Sequence, residues 1–148
     1  VRGVPGHSSE PDRGANAIIG ASRLVAFLDD YQQELRANAD PDCPFDPPYT
    51  TFDIGLINGG TAANIIPGEC RVTWGFRMLP TDDSDAIEAR VRAHAAEHID
   101  PWMKKIAPEA GVEIIRRNEV PPLIPDTDSP AEQIIRHLTG LNQSGVVA

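Results

Sequence analysis

The sequence predicts an α+β fold in the ferredoxin-like, split βαβ arrangement: a four-stranded antiparallel sheet with two helices on one face. Three observations carry this. Ile18, Ala21, Val25, Leu28 and Leu35 recur at three-, four- and seven-residue spacing with Asp29, Asp30, Gln33 and Glu34 between them, which is an amphipathic helix. Two stretches, residues 51–56 and 70–78, alternate apolar and polar residues as half-buried strands do. A second helical stripe, Ile87, Val91, Ala95, Ile99 and Trp102, follows a cluster of capping residues.

Taken in order, the first helix ends before Asn38–Pro48, where proline and aspartate mark a loop. In the next strand Phe52, Ile54 and Leu56 are expected on one buried face, opposite Thr51, Asp53 and Gly55. A glycine turn leads to the strand Cys70–Met78. There Cys70, Val72, Trp74, Phe76 and Met78 share one face, and Arg71, Thr73, Gly75 and Arg77 the other. Thr81, Asp82, Asp83, Ser84 and Asp85 supply cap candidates and negative charge at the start of the second helix. Pro101 is expected to break that helix, with Asp100 capping a short continuation through Lys105. A last strand is expected near Val112–Arg117, leaving the other sheet face free.

Residues 1–120 thus form one unit. Pro121, Pro122 and Pro125 read as a stiff connector, and Ser129-Pro130-Ala131-Glu132 as a helix start with a capping box. Ile134, Ile135 and Leu138 on that helix, which Gly140 ends, have no second element to pack on. Residues 121–148 therefore read as a connector and the first helix of another domain. The chain opens on Val1 and closes on Gly145-Val146-Val147-Ala148, and is expected to be a piece of a longer protein.

A net charge of −9 over 148 residues, with no basic run, argues against nucleic acid and anionic membranes as partners. The strands also lack the paired aromatics on which RNA-binding ferredoxin-like domains stack bases. No apolar stretch approaches the roughly 20 residues of a membrane span, and no signal peptide is visible. Cys43 and Cys70 have neither metal spacing nor scaffold density, which suggests a reducing, cytoplasmic setting.

Two glycine-rich turns stand out. Gly3-Val4-Pro5-Gly6-His7-Ser8-Ser9-Glu10-Pro11 lifts His7 out of its pattern, and Gly59-Gly60-Thr61-Ala62-Ala63-Asn64-Ile65-Ile66-Pro67 lifts Asn64. Together they suggest half of an active site, with neither a metal cage nor a nucleophile. Gly6, Gly59 and Gly60 serve either the turns themselves or close approach of a substrate. Asn64 either meets a ligand or closes its own turn through an Asx bond.

The pattern G-x-P-G-H-S-S-x-P-x-x-G-x-N-A-I at Gly3–Ile18, then N-G-G-x-A-A-N-x-I-P at Asn58–Pro67, then F-R-x-L-P at Phe76–Pro80, resembles the dimerisation or lid domain of the co-catalytic zinc amidohydrolases. The strand Tyr49–Asn58 and the tail Pro121–Pro130 resemble the acetylornithine deacetylase branch, beside succinyl-diaminopimelate desuccinylase and carboxypeptidase G. The resemblance implies a homodimer and a separate catalytic domain holding two zinc, or cobalt, ions together with a carboxylate that activates water. It implies that this chain holds no metal and is inactive alone. It also implies that His7 reaches the partner's active site as a donor to the oxyanion of an N-acyl amino acid substrate. Such a donor stabilises developing charge by roughly 3 kcal/mol. Asn64 and Gly60 would lie against substrate, and Arg77 would grip its carboxylate with a guanidinium fork. Arg116 and Arg117 precede the place where carboxypeptidase G carries a further arginine, and the resemblance gives them no role.

Two other readings compete. His94-Ala95-Ala96-Glu97-His98 matches the H-x-x-E-H signature of a helical zinc site, against the plain reading of two histidines at the core boundary. The whole chain could also be a pairing or small-molecule-binding module of ferredoxin-like fold without catalytic function.

Overall fold

The computed structural model describes residues 1–124, 126 and 129–140. Pro125 of the expected connector and the closing run Gly145–Ala148 lie outside the described residues.

Helix α1 spans Ala17–Ala37. It starts where the sequence supplies a cap: Asn16 Oδ1 accepts from the N–H groups of Ile18 and Ile19 at 3.0 and 3.1 Å. Its buried face is Ala17, Gly20, Ala21, Leu24, Leu28 and Tyr31. That stripe is rotated from the expected one, and Ile18 turns outward, 40% exposed. The rotation is permitted by Gly20, where a Cβ would stand 2.8 Å from Met103 Sδ and 3.0 Å from Val1 Cγ1. Two elements meet there without a side chain between them.

Strands β2 (Thr51–Gly59) and β4 (Cys70–Arg77) pair antiparallel, with Phe52 opposite Phe76 and Ile54 opposite Trp74. The register shifts between Ile54 and Leu56, so Leu56 faces Thr73 and Ile57 faces Val72. A bulge at Gly55 therefore moves Leu56 off the expected buried face, because one extra residue reverses a period-two pattern. Leu56 and Ile57 are 60% and 54% exposed.

Helix α2 (Ser84–His94) is capped by Asp83, whose side chain accepts from Asp85 N and Ala86 N. It runs through a π-helical turn, Ala95–Ile99, into α3, Asp100–Lys104. The short helix expected beyond Pro101 forms as α3, but the chain enters it through the continuous π-helical turn and not after a break. Proline falls in the first turn of α3, where its missing N–H costs nothing. Nor does the Asp100 carboxylate cap a helix: it holds Lys104 Nζ at 2.6 Å and accepts Val112 N–H at 2.9 Å.

Leu24, Leu28 and Tyr31 of α1, Ile87 and Val91 of α2, Ile99 and Met103 form one core with Phe52, Ile54, Trp74 and Phe76. Both helices lie against this face of the β2–β4 ribbon. On the opposite face Asp53, Gly55, Arg71 and Arg77 are exposed, as the alternation predicts. Buried Thr50 ties the ends together: its hydroxyl donates to Asp82 and accepts Leu79 N–H at 3.1 Å.

The expected four-stranded sheet is not formed. Two two-stranded sheets exist among the described residues, β2–β4 and the short pair β1 (Gly6–His7) with β3 (Ile65–Ile66). Between them Arg2 bridges singly to Glu69 and to Gly111, and Val4 to Ala15. Pro5 and Pro67 interrupt any longer ladder, since proline offers no N–H to it. Val112–Arg117 is not a strand. It is held to α2 by side chains instead: Arg116 binds Asp85 and Glu88 as well as its neighbour Glu119, and Arg92 donates to Ile114 O.

Helix α4, Pro130–Thr139, ends on Gly140 in the left-handed conformation. Ser129 sits at its N-cap without a side-chain hydrogen bond, so the expected capping box is not made. Ile134, Ile135 and Leu138 are exposed along it. No helix among the described residues is long and apolar enough to cross a membrane.

Candidate functional site

The two glycine-rich turns, some fifty residues apart in sequence, meet in space. Gly6 pairs with Ile66 and His7 with Ile65, and Ser8 N donates to Asn64 O at 3.0 Å. Backbone pairing thus fixes the His7 turn against the Asn64 turn, with both side chains exposed.

The His7 turn is closed by Glu10 N donating to His7 O at 2.9 Å. This folds Ser9 back over the imidazole. Ser9 N donates to His7 Nδ1 at 3.3 Å and Ser9 Oγ lies 2.7 Å from the same nitrogen. A nitrogen that accepts a backbone N–H carries no proton, so in the neutral ring Nε2 is the donor.

The Asn64 turn is closed by its backbone, Ile65 N donating to Ala62 O at 3.2 Å. Among the described residues no Asx bond forms, and Asn64 is exposed. Gly60 begins this loop with φ +79°, a left-handed conformation that glycine adopts without strain. A Cβ there would meet Ile18 Cδ1 at only 3.4 Å, so conformation rather than crowding calls for glycine.

Beside the paired turns lies a groove of about 780 Å³, walled by Ile18, Ile19, Trp102 and Ile106 and rimmed by Ser8 and Gly60. Sequence periodicity did not reveal these walls. The signal was the doublet Ile18-Ile19, which no single helical stripe can bury, and Trp102 beyond the proline. Ser9 was likewise missed, although it stands two residues after His7.

Arg77 lies elsewhere. It pairs with Thr51 at the far end of the ribbon from the Gly59–Cys70 pair. Seven residues at about 3.3 Å each separate it from Cys70 by roughly 23 Å. Within one chain it does not join His7, Asn64 and Gly60. Arg116 is engaged with Asp85, Glu88 and Glu119; hydrogen bonds to Glu88 and then Asp85 push its guanidinium pKa further up.

His94 stacks on Phe27 with ring centroids 3.7 Å apart, and His98 lies 4.8 Å from His94. Burial, and then the charge of His98, lowers the His94 pKa. The pair borders a smaller pocket with Arg23 and Asp30. Among the described residues no group of three or more His, Cys, Asp or Glu side chains gathers as a metal site, so the H-x-x-E-H match lacks its further ligands.

Residues 1–103 match the model of a peptidase dimerisation domain. The chain belongs to that family. Acetylornithine deacetylase of Myxococcus xanthus is 40% identical over 87 residues, covering 59% of this chain and 23% of that protein. Succinyl-diaminopimelate desuccinylase of Marinobacter nauticus is 36% identical over 98 residues, 66% of this chain and 24% of that protein. The chain thus spans about a quarter of the length of these curated relatives. Aminopeptidase PepT of Bacillus cereus shares its fold with a TM-score of 0.60 at 20% identity, covering 99% of this chain and 35% of that structure. A peptidase dimerisation domain implies self-association.

Proposed function

We propose that this peptidase dimerisation domain serves a metal-dependent amidohydrolase whose intact form cleaves N-acetyl-L-ornithine to L-ornithine and acetate, a step of arginine biosynthesis in the cytoplasm. The observation that carries the reading is the union of the His7 and Asn64 turns through the β1–β3 pair. The deacetylases among its relatives favour the acetyl substrate. A desuccinylase is the second reading, on the strength of relatives bearing that name.

In this reading residues 1–120 form the pairing domain, and 121–148 lead into a catalytic domain that carries the two zinc or cobalt ions. The described side chains do not fit such a centre, since no three ligands converge. What this chain contributes is hydrogen bonding. His7 offers Nε2–H to the oxyanion in the partner's active site, where a pre-aimed donor does not have to reorganise as charge develops. Asn64 and the Gly60 backbone lie along the substrate. Arg77, far from His7 in its own chain, takes the substrate carboxylate only in an assembly that brings a second chain or domain to the ribbon's far end.

Turnover of N-acetyl-L-ornithine by the zinc-loaded intact enzyme tests this, beside its His7→Ala variant and this chain alone. Loss of about a hundredfold or more in kcat with the dimer retained is expected. The chain alone is expected to be inactive. Unchanged kcat in His7→Ala would remove the reading, and hydrolysis by the chain alone would move attention to His94 and His98.

A further inference from the structure

We propose that Ser9 is a positioning residue that sets the tautomer and aim of the His7 ring; the proposal rests on His7 acting as a hydrogen-bond donor. A neutral imidazole has a single N–H, and which nitrogen bears it is decided by what the other nitrogen accepts. Here the backbone decides, because an N–H can only donate; the Ser9 hydroxyl, which can donate or accept, follows by donating to the same nitrogen. The backbone N–H of Ser9 points at Nδ1 from 3.3 Å, and the Ser9 hydroxyl lies 2.7 Å from the same atom.

The hydroxyl is the shorter and more adaptable of the two donors. The backbone N–H is weaker at its distance but cannot rotate away, because Ser9 is a central residue of the turn closed by Glu10 N and His7 O. With Nδ1 occupied, Nε2–H is left as the outward donor, and χ rotation of the ring is restrained. Ser8, the neighbouring hydroxyl, does not share this task. Its backbone N–H is committed to Asn64 O, and its side chain rims the groove. The two adjacent serines therefore do different work: one joins the turns, the other orients the imidazole.

Ring-nitrogen NMR on this chain reads the tautomer directly, without any catalytic domain. With the ring neutral, His7 should show an unprotonated Nδ1 and a protonated Nε2. Ser9→Ala keeps the backbone N–H but loses the nearer donor, so the Nδ1 resonance should shift and the share of the other tautomer rise, while Ser9→Thr keeps the wild-type pattern. A wild-type ring with protonated Nδ1, or ring shifts identical in Ser9→Ala, would overturn the proposal. In the intact enzyme Ser9→Ala should lower kcat about five-fold with KM unchanged, the scale of one ordinary hydrogen bond, and Ser9→Thr should restore it. Unchanged kcat in Ser9→Ala beside a hundredfold loss in His7→Ala would sink Ser9 alone. Unchanged kcat in His7→Ala would sink the donor reading, and with it the catalytic consequence of Ser9.

Discussion

The Asp100 carboxylate and the Val112 N–H join two segments that the sequence left unconnected, at 2.9 Å and partly buried. Asp100 opens α3, and Val112 follows the Gly111 bridge to Arg2, so one acceptor fixes where the chain leaves the helical rod. Removing it leaves a partly buried N–H unsatisfied and frees Lys104. Asp100→Ala is expected to cost about 1–3 kcal/mol, read as a lower midpoint in urea unfolding. Asp100→Asn keeps an acceptor and should lose less than half of that. Equal midpoints for wild type and Asp100→Ala would show that the bond contributes nothing.

Gly60 separates two requirements that a glycine-rich turn usually confounds. Its φ of +79° is costly for any residue with a Cβ, whereas the space around it accepts one at 3.4 Å. Gly60→Ala is therefore expected to lose about 1–2 kcal/mol by backbone strain and still fold, which thermal unfolding of the domain would register. If Gly60 also approaches substrate closely, Gly60→Ala raises KM in the intact enzyme beyond any change in stability. A variant as stable as wild type would mean that the loop relaxes its left-handed residue away.

Strand β2 pairs only with β4 among the described residues and carries exposed Leu56 and Ile57 beyond its bulge. An unpaired edge with apolar side chains favours association with a second strand. Sedimentation equilibrium should find this domain dimeric, and Leu56→Lys should weaken the dimer tenfold or more, about 1.4 kcal/mol. A monomer at high concentration would exclude self-association of the domain by itself.

How far the sequence reached is clear from particular residues. Periodicity located α1, β2, β4 and the α2 stripe because each buries one face against a shared core, and that burial is written in residue spacing. It misplaced Leu56, because alternation assumes an unbroken register and the bulge at Gly55 shifts it; the glycine inside the strand was its mark. It read Pro101 as a break followed by a short helix; the short helix is there, but the π-helical turn that carries the chain into it leaves no spacing signal. The last strand failed for another reason: Arg116 binds two distant carboxylates, Asp85 and Glu88, a tertiary choice that outweighs local alternation. The paired turns were legible as motifs, but the Ser9 contact to His7 depends on a reverse turn that only the folded backbone reveals.

The stacked pair Phe27 and His94 makes stability depend on pH in a defined direction. Burial against Phe27 lowers the folded-state pKa of His94 below its ordinary 6.5, with His98 adding repulsion and Glu97 and Asp30 opposing it. The folded chain therefore binds fewer protons at this site than the unfolded chain. Stability is complete above pH 6.5 and falls as pH drops through that value toward the folded pKa. The carboxylates Glu34 and Glu88, whose pKa values are lowered mainly by hydrogen bonds from Arg90 and Arg116, act below their ordinary 4.5, in a separate window. His94→Phe keeps a ring on Phe27 and removes the titrating nitrogens. Its thermal midpoint should fall less than that of wild type between pH 7 and pH 5, and titrating groups not coupled to His94 cancel in the comparison. Parallel midpoint curves for the two proteins would show that His94 binds its proton equally in the folded and unfolded chains.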